Sequence, residues 1–209
     1  MSERSGLHSV LERSRVYTFM QTGIGRAATP RHLQDAYFPG LGHSLRRVLD
    51  IGCGPAQFLV SWPVEGIEFV GFDPNAEYIA TGRQAHPKAT LFVGTCATVA
   101  DEISGPFDLA VSFGVLHHVD DEEAKRIAQF AFDRLAPGGR FVALDPTLLP
   151  RQNPIARLLA KSDRGKHVRG PQEYQALVAS VFGDDVQSHV ESRLLRVPYN
   201  HSVVVANKH

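Results

Sequence analysis

From Arg46 onward, short apolar runs alternate with longer stretches in which apolar residues recur at helical spacing. The runs RRVLDI, IEFVGF, ATLFVG, FDLAVSF and GRFVALD are rich in β-formers, and each predicts a buried strand. Between them, NAEYIATGRQAH and DDEEAKRIAQFAFDRLA predict helices. In the second, Asp120, Asp121, Glu122 and Glu123 put negative charge in the first turn, and Ile127, Phe130, Ala131 and Leu135 share one face. Pro137, Gly138 and Gly139 are expected to end it. This alternation predicts the α/β class, with a parallel sheet covered by helices on both faces.

Toward the C-terminus the pattern changes. VQSHVESRLLRV and HSVVVANK are two strand-like runs separated by a short turn around Pro198 to Asn200, which predicts a hairpin and an antiparallel last strand. Residues 1 to 45, expected to be helical, and LLPRQNPIARLLAKSDRGKHVRG, inserted after the fifth strand, stand outside the alternation. Both are candidate lids over the carboxyl ends of the strands, where open α/β sheets bind ligands.

Composition narrows the function. At 209 residues the chain falls within the range of one domain, and Lys+Arg and Asp+Glu total 22 each, so no net field gathers a polyanion. A nucleic-acid partner is therefore not expected. MSERSGLHSVLERSR has no signal-peptide core, and no apolar stretch approaches the roughly 18 residues of a membrane span, so a soluble, cytoplasmic protein is expected. Cys53 and Cys96 are the only thiols, too few for a disulfide framework and without zinc-site spacing, so no metal is expected.

The chemistry begins at VLDIGCGPAQFL. A dinucleotide fingerprint would continue Gly52-x-Gly54 to a third glycine, but Gln57 occupies that place. Pro55 removes a backbone N–H where a pyrophosphate would seek one, and Asp50 adds negative charge before the turn. These features suit a ligand without phosphates, the alternative being a strand-to-helix turn that binds nothing.

VLDIGCGPA resembles the first motif of the class I S-adenosylmethionine-dependent methyltransferases, D-x-G-x-G-x-G, with Ala56 in the last position. FVGFDPN, FDLAVSFGVLHHV and LAPGGRFVALD continue the resemblance in register over about 160 residues. It implies a Rossmann-like seven-stranded sheet of order 3-2-1-4-5-7-6 with strand 7 antiparallel, and S-adenosyl-L-methionine as cofactor. It further implies cofactor contacts at Asp50, Gly52, Cys53 and Gly54, with Asp73 accepting from both ribose hydroxyls. Pro74 lies against adenine or merely starts a helix. Thr95 stands where many relatives have an aspartate for the adenine amino group, with Cys96 beside it, while Phe113 and Gly114 would hold the cofactor's amino group through their carbonyls. The expected organisation is a single domain over 1–209: a helical extension (1–45), a cofactor-binding core (46–145), a lid segment (146–170), and a final helix and hairpin (171–209).

Methyl transfer from a sulfonium needs alignment and exclusion of water, with a base only where the acceptor loses a proton. His117, His118 and His201 are the candidate bases, although a histidine capping the fourth-strand exit is an equally good account of LHHV. Asp145 and Tyr199 are candidate acceptor contacts, or alternatively a cap and a turn residue. Arg164 and Arg169, in DRGKHVRG, either close over an anionic acceptor group or belong to a solvated loop. No N/D-P-P-Y/F run follows the fourth strand and no Pro-Cys pair is present, which disfavours base-nitrogen, glutamine and cytosine C5 methylation. The expected function is methyl transfer to a small molecule, at oxygen first and otherwise at nitrogen or carbon. The alternatives are a non-catalytic S-adenosylmethionine-binding protein and an NAD(P)-dependent oxidoreductase.

Overall fold

The computed structural model describes residues 30–38, 45–56, 58–59, 66–162, 165–192, 194 and 199–209. Their elements in chain order are α1 (Pro30–Tyr37), β1 (Arg47–Ile51), β2 (Glu68–Asp73), α2 (Ala76–Ala85), β3 (Thr90–Val93), β4 (Phe107–Phe113), a 3-10 turn (Leu116–His118), α3 (Asp121–Arg134), β5 (Leu135–Pro146), α4 (Pro154–Ser162), α5 (Pro171–Phe182), β6 (Val186–Glu191) and β7 (His201–Asn207). The seven strands form one sheet of order β3-β2-β1-β4-β5-β7-β6. β1 to β5 pair in parallel, and β7 runs antiparallel to both β5 and β6.

Alternation along the strands divides the core in two. Leu49, Ile51, Val70, Phe72, Ala110, Phe141 and Ala143 face α3 and α5 with Ile127, Phe130, Tyr174 and Phe182. Val48, Phe69, Leu109, Val111, Val142 and Val203 face the other way, where α1 contributes Leu33 and Tyr37. The Asn75 side chain accepts from Glu77 and Tyr78 N–H at the start of α2, and Asp120, expected in the first turn of its helix, is instead the N-cap of α3 and accepts from Glu123 N–H.

Two boundaries differ from the sequence expectation. α3 ends at Arg134, and Leu135 to Gly139 belong to β5. Leu135 pairs with Phe107, and Gly138 N–H and Gly139 C=O exchange bonds with Lys208, so pairing across the sheet overrides the helical spacing. β6 stops at Glu191, short of the expected run to Val197, and β7 begins at His201, while residues 193 and 195–198 between them lie outside the described residues. Pro198 and most of the N-terminal extension lie outside the described residues.

The inserted segment is tied back to the sheet by Tyr174 on α5. Its buried hydroxyl donates to Pro146 C=O at 3.1 Å and accepts from Arg169 N–H at 3.3 Å. Tyr174→Phe leaves both backbone groups without this partner and is expected to cost about 1–3 kcal/mol in urea-monitored unfolding.

Candidate active site

β1 runs directly into the glycine turn. Gly52 and Gly54 have φ of 72° and 54°, and the N–H groups of Gly52 and Cys53 both donate to Phe72 C=O, at 2.9 and 3.0 Å. A Cβ on Gly52 would fall 2.5 Å from Cγ2 of Val115, so both conformation and close approach require glycine there. At Gly54 nothing lies within 4 Å of the corresponding position, which leaves the outer side of the turn open. Ala56 also occupies the left-handed region, with φ of 56°.

Two carboxylates flank this turn. Asp73, half-buried at the end of β2, accepts from Gly54 N–H at 3.0 Å and from Asn75 N–H at 2.8 Å. Those bonds fix the carboxylate and still leave lone pairs on each oxygen. Asp50 is buried, and among the described residues no donor reaches its carboxylate. Burial, and after it the charge of Asp73, pushes Asp50 up to about 8, and burial raises Asp73 too. The open turn and the donor-poor Asp50 are suited to a cationic group, and the oriented Asp73 to hydroxyls.

The other sequence-selected cofactor residues line the strand ends. Pro74 and Thr95 are exposed, and Thr95 N–H donates to Thr98 Oγ1 at 2.8 Å. Cys53 and Cys96 are buried in opposite cores, and burial raises both thiols. Phe113 meets Phe58 edge-on at 4.9 Å, and Gly114, with φ of 73°, donates to Leu144 C=O at 2.7 Å.

Beyond Gly114, the 3-10 turn carries His117 inward and His118 outward. His117 Nδ1 lies 2.7 Å from Asp145 Oδ1, which also accepts from His117 N–H at 3.1 Å. A carboxylate only accepts, so Nδ1 carries the proton and Nε2 is the basic nitrogen. Asp145 Oδ2 is buried without a hydrogen-bond partner among the described residues. The His118 ring rests 3.9 Å from that of His117. Tyr199 and His201 make an edge-on contact at 5.1 Å. His201 pairs with Pro146, and alternation assigns its side chain to the opposite sheet face from Asp145.

Residues 15–183 match the methyltransferase domain family. The chain belongs to this family.

The ubiquinone biosynthesis O-methyltransferase of Nitrobacter winogradskyi is 35% identical over 77 residues, covering 36% of this chain and 30% of that protein. The ribosomal RNA small subunit methyltransferase C of Chromohalobacter salexigens is 33% identical over 111 residues, covering 50% of this chain and 33% of that protein. The chain thus aligns with about a third of the length of these curated relatives. A solved SAM-dependent methyltransferase from Archaeoglobus fulgidus shares the fold with a TM-score of 0.69 at 19% identity, covering 92% of this chain and 99% of that one.

Within this methyltransferase domain, some sequence-selected residues come together and others do not. His117 and Asp145 form a pair, so Asp145 serves His117 instead of projecting toward an acceptor. Arg169 departs from the expected lid position. Its guanidinium is buried, bonded to Asp121 Oδ1 and to the carbonyls of Leu116, Val119 and His167 at 2.7–3.0 Å. Arg164 lies outside the described residues. The sequence reading missed Val115, which closes over Gly52, and Gly165, where a Cβ would fall 2.1 Å from the His117 ring. Only the glycines bounding DRGKHVRG hinted at the second. Among the described residues no His/Cys/Asp/Glu group is arranged for a metal, and no helix is long and apolar enough to cross a membrane.

Ala56 gives a direct test of the turn. Left-handed backbone costs a non-glycine residue about 1–2 kcal/mol, while the buried methyl returns about 0.8 kcal/mol. Ala56→Gly is expected to be neutral within about 1 kcal/mol in urea unfolding, and Ala56→Val to destabilise by about 2 kcal/mol or more, because β-branching is poorly tolerated there.

Proposed function

We propose that the chain transfers a methyl group from S-adenosyl-L-methionine to a hydroxyl of a small-molecule acceptor. The observation that carries this reading is the buried His117–Asp145 pair one turn beyond Gly114, at the carboxyl ends of β4 and β5. The cofactor, when bound, supplies an electrophilic methyl whose leaving sulfur becomes neutral. Asp73 takes the ribose hydroxyls, Asp50 faces the ammonium side, and the backbone of Gly52 to Gly54 and of Phe113 to Gly114 sets their spacing. Pro74 and Thr95 border the adenine, with Cys53 and Cys96 contributing backbone and packing. His117 Nε2 removes the acceptor proton, and Asp145 stabilises the resulting imidazolium.

Exclusion of water falls to the segment from Gly165 to Gly170. His167 N–H donates to His117 C=O at 3.0 Å, and Arg169 anchors the segment to the turn on either side of His117. His118, His201 and Tyr199 border the acceptor space. The balanced charge of the chain supports a small molecule over RNA, despite the ribosomal RNA enzyme among the relatives.

Release of S-adenosylhomocysteine across a panel of phenols, alcohols, amines and oligoribonucleotides tests the reading. Turnover is expected with a hydroxyl acceptor. His117→Gln and Asp145→Asn should each lower kcat by about 10²-fold or more with cofactor affinity retained. Asp73→Ala should weaken cofactor binding by about 1.5–3 kcal/mol in calorimetry. Tight cofactor binding without turnover on any acceptor would favour a binding protein, and tighter binding of NADH would favour an oxidoreductase.

Asp50 adds a pH dependence. Its folded value lies above the usual 3.8, so the stability it contributes is complete below pH 3.8 and is lost as pH rises through about 8. Asp50→Asn, which mimics the protonated form, is expected to be more stable than the parent at pH 8 by at least about 1 kcal/mol. Urea titrations from pH 4 to 9 should show that difference vanish toward pH 4.

A further inference from the structure

The inserted segment carries a feature that methyl transfer does not use. Residues 151–170 hold six of the chain's Lys and Arg and a single Asp, although the chain as a whole is balanced at 22 to 22. Arg169 is spent inside the fold, but Arg151, Arg157 and Lys166 are exposed. In the same segment α4 buries Ala156 and turns Ile155 and Leu158 outward, 59% and 65% exposed. These are the most exposed large hydrophobic side chains among the described residues. Three positions apart on a helix, they lie on one face. The helix is defined and not frayed at its start, since Asn153 Oδ1 accepts from Ile155 N–H at 2.8 Å and Asn153 C=O from Arg157 N–H at 2.9 Å.

An excess of cations over a single Asp in the segment, with Arg151, Arg157 and Lys166 exposed around an outward apolar pair on a short helix, is the chemistry of an interfacial segment. Cations settle among anionic headgroups and the apolar pair enters the acyl boundary. We propose that α4 and its flanking basic residues dock the protein on an anionic lipid surface. The segment leaves the carboxyl end of β5 and returns at Gly165 against His117. The membrane-facing side is therefore the side of the strand exits. This docking does not depend on which acceptor is methylated, or on whether any is.

Co-sedimentation of the full chain with vesicles tests it. The protein is expected to pellet with phosphatidylglycerol–phosphatidylcholine vesicles at low salt and to stay in solution with phosphatidylcholine alone. Binding should fall at least five-fold in 0.5 M salt, about the point where the Debye length becomes a few ångströms. Ile155→Asn/Leu158→Asn and Arg151→Gln/Arg157→Gln should each reduce it by at least five-fold at unchanged unfolding midpoints, because all four side chains are exposed. Wild-type protein that ignores anionic vesicles, or that binds them as well as both variants do, would overturn the proposal. A wild-type dimer in sedimentation velocity that Ile155→Asn/Leu158→Asn converts to monomer would instead assign the apolar pair to a second copy of the chain.

Discussion

The guanidinium of Arg169 is the fastening on which the His117–Asp145 end of the molecule depends. A buried cation is costly unless every donor is engaged, and here one side chain bonds a carboxylate at the start of α3, two carbonyls flanking the His117 turn, and the carbonyl of His167. Three pieces of chain that share no secondary structure are thereby held in one arrangement. The position of His117 relative to the ends of β4 and β5 follows from it. Lysine has the charge but not the planar fork needed to reach these acceptors together.

On the other side of the strand ends the electrostatics are reversed. Asp50 and Asp73 bring two carboxylates toward one turn, and the protein supplies backbone donors only to Asp73. Burial holds the Asp50 carboxyl largely protonated at neutral pH, so a positive charge placed beside it would draw it toward its ionised form, while adjacent hydroxyls would meet Asp73. In the His117–Asp145 pair, Asp145 Oδ1 is satisfied by the ring and backbone N–H of His117, while Oδ2 has no hydrogen-bond partner among the described residues. Between the two regions, Val115 closes over Gly52, and a Cβ on Gly114 would fall 3.8 Å from the His117 ring.

Much of this was legible in the sequence, for identifiable reasons. The strands announce themselves because a buried parallel strand is an uninterrupted apolar run, and the glycine turn because only glycine accepts both its φ and the approach of Val115. The end of α3 was not legible. Leu135 suits the helix by spacing and joins β5 by pairing with Phe107, a partner 28 positions away. The His117–Asp145 bond is likewise set by the relation of the 3-10 turn to the register of β4 on β5, which no local pattern encodes. Arg169 was misread because its partners are mainly backbone carbonyls. Carbonyls have no residue type, so nothing in DRGKHVRG separates a buried Arg169 from one that closes over an acceptor or lies in a solvated loop.

The strand order carries a consequence for how the chain acquires its structure. β7 lies between β5 and β6, although β6 precedes it in the chain. As synthesis proceeds from the N-terminus, β1 to β5 can assemble neighbour by neighbour, but β6 has no hydrogen-bonding partner until β7 inserts beside it. A nascent chain therefore exposes the open edge of β5 and the unpaired strand β6 together, and the interval before β7 arrives is when this protein is most exposed to misassociation.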